Sequence, residues 1–157
     1  MKIIQISVGA LSRSWLKEAE KEYHEKLKHY IPFKPIEISL KKQEMHEDPA
    51  RQTEIEGKKI LQHINIGDYV VLCDENGKRF TSIQFSDWMQ KKMIQVPGNL
   101  VIVIGGAFGF SNDVKEKAQE LISFSDMTLN HQLFRIVLLE QLYRGLSIWR
   151  NEPYHHH

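Results

Sequence analysis

The stretch that decides the fold is "LVIVIGGAFGFSNDV", residues 100–114. Five consecutive apolar residues, Leu100 to Ile104, suit a parallel strand covered on both faces rather than a half-exposed strand, which would alternate. Glycines at 105, 106 and 109 then leave the backbone bare before polar chain resumes. Ligands of open α/β sheets sit beyond the carboxyl ends of the strands, so this turn lies where a pocket is expected. Its spacing is G-G-x-x-G. It lacks the Lys-Ser/Thr of a phosphate-cradling P-loop and is not the G-x-G-x-x-G of dinucleotide folds. Asp113 would occupy the positive end of a helix starting near Ser111 or Asn112, so a phosphate there would meet a like charge. The turn favours a ligand without phosphates, although glycines at a strand end also serve a plain tight turn.

Outward from this strand, the pattern alternates. "KIIQISV" (2–8) reads as a buried strand ending at Gly9. Trp15, Ala19, Tyr23, Leu27 and Tyr30 mark a helix capped by Ser12 or Ser14 and stopped by Pro32. "IEISL" (36–40) is a second strand. Residues 41–53 are polar, with too few apolar groups to offset the entropy of ordering, and are expected to be a mobile loop. Ile55, Ile60, Leu61 and Ile64 mark a helix closed by "NIGD" (65–68), and "YVVLCD" (69–74) a third strand. Asn76-Gly77 suits a tight turn. Phe85, Trp88, Met89 and Met93 share a helix face that Ser82 could cap, and "VPGN" (96–99) punctuates the chain. Val114, Ala118, Leu121 and Ile122 predict a fourth helix, "SFSDMTL" (123–129) a short strand plus loop, and His131 to Trp149 a final helix. One α/β domain over residues 1–157, with a largely parallel sheet and no internal repeat, is the expectation.

Composition narrows the class. The 157 residues are 41% apolar and 26% charged, enough for one sizeable core. Lys and Arg total 21 against 20 acids, a net charge of +1, which gives no general pull toward nucleic acid or an anionic membrane. Any RNA binding must therefore be local. No apolar stretch reaches the roughly 18 residues of a membrane span, and no signal-peptide pattern opens the chain. Cys73 is the single cysteine, so no internal disulfide can form. The expectation is a reduced cytoplasmic protein, with no cysteine or acid cluster to support a metal site.

Two C-terminal segments carry further information. The final helix holds more apolar residues than one stripe facing a sheet needs, from Leu133 to Trp149. Leaving several in water would forfeit about 1.5–3 kcal/mol each, so either a second subunit covers them or the helix is deeply buried in a monomer. Ahead of it, Ser123, Ser125 and Thr128 interleave with Phe124, Met127 and Leu129. Such a loop can wrap a flat apolar group while its backbone reads a polar edge, as an adenosyl group requires, or its hydroxyls can simply cap the next helix.

"IGGAFGF" (104–110), "FSDMTLNHQLFRIVLLEQLYR" (124–144) and the closing "NEPYH" (151–155) together resemble the RlmH family of SPOUT-class methyltransferases. "MKIIQISVG" (1–9) and the overall length extend the resemblance to essentially the whole chain. It implies methylation of N3 of a pseudouridine in 23S ribosomal RNA, with S-adenosyl-L-methionine as methyl donor. It also implies a SPOUT-type α/β-knot, a deep trefoil knot in the C-terminal part of a homodimer; threaded chains are too rare for residue patterns to suggest one. The cofactor-binding positions it implies are Cys73, Gly105, Phe124, Ser125, Asp126, Met127, Thr128 and Leu129. Cys73 stands where leucine is usual in the family, and Asn130 where proline precedes the histidine.

Substrate positioning falls on His131, Tyr143, Arg144, Tyr154 and His155. His131 either assists loss of the imide proton, a role the histidine side chain suits, or caps or packs at the helix start. Arg144 either forms a surface pair with Glu140, worth about 0–1 kcal/mol, or projects with Tyr143 to a phosphate or the target base. Tyr154 can stack on a base, and Arg150 with His155 offers donors to RNA. His156 and His157 are set aside as a potential tag remnant. The expected substrate is the assembled ribosome or large subunit. A SPOUT enzyme acting on tRNA and a non-catalytic ribosome-binding dimer are the alternatives.

Overall fold

The computed structural model describes residues 1–156; His157 lies outside them. Five strands, β1 (Ile3–Val8), β2 (Phe33–Ile38), β3 (Tyr69–Arg79), β4 (Leu100–Ile104) and β5 (Glu120–Ser123), form one sheet in the order β2-β1-β4-β3-β5. Every pairing is parallel. β4 lies at the centre and is buried along its whole length, as its unbroken apolar run requires. Successive residues feed opposite faces. Leu100, Ile102 and Ile104 meet one core cluster, while Val101 and Val103 meet the other.

Five helices cover these faces: α1 (Ser14–Lys28), α2 (Pro49–Leu61), α3 (Ser82–Gln95), α4 (Asn112–Lys117) and α5 (His131–Trp149). Leu27 of α1, Phe85 and Met89 of α3, and Leu138, Leu139 and Leu142 of α5 pack on one face. Ile60 of α2 and Val114 of α4 pack on the other. α5 lies against both α1 and α3. Arg135, though charged, is buried there because its guanidinium bonds Glu20, Glu37 and the carbonyl of Gly9.

Several local expectations are corrected. Trp15 is 58% exposed, and Leu16 and Leu27 are the buried residues of α1. Neither Ser12 nor Ser14 caps that helix. Its N-cap is Arg13 without a side-chain bond, and Ser12 instead donates from N and Oγ to Gln132 Oε1. β2 begins at Phe33, ahead of the expected Ile36, and accommodates Pro35 because it is an edge strand. Residues 41–53 are not one loop. Lys42–Glu44 form a 3₁₀ turn, and α2 already starts at Pro49, ordered by burial of Gln52 and Thr53. Thr81, not Ser82, caps α3, exchanging bonds with Gln84. α4 stops at Lys117, and Leu121 and Ile122 belong to β5.

Asn76-Gly77 makes no hairpin turn. β3 runs through it and pairs with β5 on both sides of a bulge, Cys73 with Ile122 and then Lys78 with Ile122 again. A Cβ on Gly77 would lie 2.5 Å from the Ile122 backbone. Glycine is there to let two chain segments touch.

Candidate functional site

The glycine turn leaves β4 at its carboxyl end. Gly106 and Gly109 bridge across it, and the Gly109 N–H donates to the Gly106 carbonyl at 3.2 Å. Gly109 has φ +80°, a conformation that favours glycine. The other two glycines are required by packing. A Cβ on Gly105 would come within 2.9 Å of the Phe110 ring and 3.1 Å of the Gly109 carbonyl. One on Gly106 would lie 2.7 and 2.8 Å from the Glu56 carboxylate oxygens.

Beside this turn, the carboxyl ends of β4 and β5 and the bulge of β3 enclose a cavity of about 490 Å³. Of the expected cofactor positions, Cys73, Gly105, Phe124, Ser125, Met127, Thr128 and Leu129 line it. Asp126 is not among the lining residues; exposed, it pairs with Arg79. The loop is braced internally. Ser123 Oγ donates to the Ser125 carbonyl at 3.2 Å, and Ser125 Oγ accepts from the Met127 N–H at 2.9 Å. Phe124 is wedged edge-on between Phe85 and Phe134, which ties the cavity wall to the core. Burial pushes the Cys73 thiol far above its ordinary pKa, so it stays neutral and acts as a wall rather than a nucleophile.

Sequence reasoning missed Asp74, Glu75, Phe108 and Lys115, which also line the cavity. Phe108 lies within the quoted turn, and the acids directly follow Cys73; both were findable by adjacency. The size falls within the usual range of small-molecule sites. The chemistry is apolar walls, exposed main chain and two carboxylates against one ammonium group. That set fits a cationic or neutral ligand better than a phosphate.

His131 opens α5 and lines this cavity. It is not the cap: Asn130 is, accepting from the Gln132 N–H at 2.9 Å. Tyr143, Arg144, Tyr154 and His155 lie at the other end of α5. Arg144 donates Nε to Glu140 at 2.9 Å, stacks over the Tyr154 ring at 4.7 Å and contacts His155 Nδ1 at 3.2 Å. Tyr143 packs on Tyr154 with centroids 4.7 Å apart, and Tyr154 OH donates to Glu140 at 3.3 Å. The tail is thus folded back on α5 in one aromatic and ionic cluster, continued by Arg150 over Tyr30. Arg144 lies thirteen helical positions beyond His131, about 20 Å along the axis, so a single chain does not bring this cluster to the cavity. No group of three His, Cys, Asp or Glu residues suited to a metal occurs among the described residues. No helix there is long and apolar enough to cross a membrane.

The family described as "Predicted SPOUT methyltransferase" matches residues 1–155. The chain is similar to ribosomal RNA large subunit methyltransferase H of Parabacteroides distasonis, 47% identical over 156 residues and covering 99% of each. The proteins of that name from Flavobacterium psychrophilum and Syntrophotalea carbinolica are 44% identical over 156 residues and 39% over 155, again with 99% of each chain covered. With matches of this extent over essentially the whole chain, it belongs to the SPOUT methyltransferases and, within them, to the RlmH family.

Proposed function

We propose that this protein methylates N3 of a pseudouridine in 23S ribosomal RNA, using S-adenosyl-L-methionine, and acts in the cytoplasm on ribosomes or large subunits. The observation that carries the reading is the convergence of seven expected cofactor positions on one cavity at the glycine turn. The relatives' names supply the ribosomal RNA of the large subunit as substrate class.

The cofactor supplies an electrophilic methyl group on a sulfonium, so no metal is required. The chain's own part is to hold, orient and exclude water. Main chain around Gly105 and from Ser125 to Leu129 reads the polar edge of the adenosyl group, while Phe124, Ile104 and Ile122 supply apolar wall. Asp74 and Glu75 favour a cationic ligand at the bulge of β3. His131, which lines the cavity, would take or relay the imide proton. Arg144, Tyr154 and His155 are the RNA-facing donors and stacking surface.

The reading includes a homodimer and a C-terminal trefoil knot. Leu133 and Trp149 are 40% and 41% exposed on α5, supporting a partner across this helix. An antiparallel second copy of α5 also closes the 20 Å gap, bringing one subunit's tail toward the other's cavity. Calorimetry with S-adenosyl-L-methionine tests the site: micromolar binding is expected, and no binding contradicts the reading. Sedimentation separately tests the dimer.

A further inference from the structure

A second cavity, of about 370 Å³, adjoins the first at the glycine turn. Where the first lies over β4, β3 and β5, this one lies over the carboxyl ends of β1 and β2, bounded by Val8, Gly9, Ser39 and Leu40. Gly106, Ala107, Phe108 and His131 wall both. In open α/β sheets the crevice where connections diverge to either side of a strand pair is the favoured ligand position, and β1 and β4 form that pair here.

α2 contributes Glu56 to this cavity, 4% exposed. Its Oε1 accepts from Gln52 Nε2 at 2.9 Å, and the carboxylate packs against Gly106, which has no side chain to displace it. Its Oε2 is buried without any hydrogen-bond partner. An unsatisfied buried acceptor is costly and rare, and an apolar residue would fill the same space more cheaply. Burial raises the Glu56 pKa against the opposing pull of Gln52, His131 and Gly106. A further donor at Oε2 would favour the charged form.

We infer that the second cavity receives the methyl-accepting base, and that Glu56 Oε2 accepts the N1–H that distinguishes pseudouridine from uridine. This rests on the proposed function and adds the residue that selects the base. Pseudouridine is joined to its ribose through carbon, so N1 keeps a hydrogen that uridine lacks. Holding the ring by N1–H leaves N3, on another edge, free for the methyl group. Leu40, Met45 and Phe108 supply apolar wall for a flat ring. A site built around such a donor penalises the analogue lacking it, because the buried acceptor is then left unpaired.

The test is nuclear magnetic resonance titration of the whole protein, saturated with S-adenosylhomocysteine, with the nucleosides pseudouridine, uridine and 1-methylpseudouridine. Pseudouridine should shift the amides of Gly9, Ser39 and Gln52 and bind about tenfold or more tighter than the other two. Glu56→Gln should erase that preference while still binding S-adenosylhomocysteine, which shows that it is folded. Equal affinity for the three nucleosides, an unchanged preference in Glu56→Gln, or shifts confined to the first cavity would overturn the inference. Should the variant not fold, the comparison of the three nucleosides on the unaltered protein still decides. Failure of S-adenosylhomocysteine to bind at all would instead overturn the cofactor reading.

Discussion

Replacing Gly105 with alanine probes the cavity wall with a single methyl group. The added Cβ would meet Phe110 Cε1 at 2.9 Å, Cζ at 3.0 Å and the Gly109 carbonyl at 3.1 Å. Phe110 is a buried member of the core shared with Val101 and Val103, so its ring cannot swing freely away. Over-packing of this kind costs about 1–3 kcal/mol. For a chain of this length, each kcal/mol lowers the melting temperature by about 2–4 °C, giving a fall of about 2–12 °C. The strain is relieved by moving the turn that walls the cavity, so cofactor affinity should drop at least about tenfold, or 1.4 kcal/mol. Ile60→Val, a core truncation costing about 0.5–1.5 kcal/mol on the same face, separates lost stability from lost binding. Thermal melts and calorimetry with S-adenosylhomocysteine on both variants decide, with sedimentation to compare the oligomeric state of each variant with that of the parent. A Gly105→Ala protein that is destabilised yet binds the cofactor as tightly as the parent would refute the role given to this turn.

Other perturbations separate the parts of the account. Arg135→Leu removes the bonds to Glu20, Glu37 and Gly9 and strands a part-buried Glu20, so denaturant unfolding should show a loss of about 3–5 kcal/mol. Glu120 is held below its ordinary pKa: burial alone would raise it, but donors from Lys92, Tyr69 and Trp88 outweigh that. Its contribution to stability is therefore present above the unfolded carboxylate pKa and lost as pH falls through the lowered folded value. Glu120→Gln should be less stable than the parent at neutral pH, with the gap closing in acid; a constant gap across pH would contradict this. Leu133→Asp should shift the protein toward monomer in sedimentation if α5 is the paired surface. Arg144→Ala should weaken ribosome binding while leaving calorimetric affinity for the cofactor intact.

The layered α/β architecture was legible because a continuous apolar run such as Leu100–Ile104 admits few other readings. The long α5 was legible from its density of leucine, whereas its cap, Asn130, was not. What escaped was set by contacts between distant segments. Asn76-Gly77 has local turn chemistry, yet its glycine serves the approach of Ile122, some 45 residues on. Leu121 and Ile122 continue a helical spacing, but pairing with β3 draws them into a strand. Polarity made residues 41–53 look disordered, whereas Gln52, Thr53 and Glu56 form the buried stripe of α2 that faces the glycine turn. Seven of the eight positions expected from the motifs line the first cavity. The second cavity was not legible, because its residues come from β1, β2 and α2 and share no local pattern.

The most direct test supplies ribosomes lacking the modification with the protein and methyl-labelled S-adenosyl-L-methionine, then maps the label in all RNA by mass spectrometry. Label on N3 of a single pseudouridine in 23S ribosomal RNA is the expected result. Label confined to tRNA, or no RNA label from protein that binds the cofactor, would contradict the account.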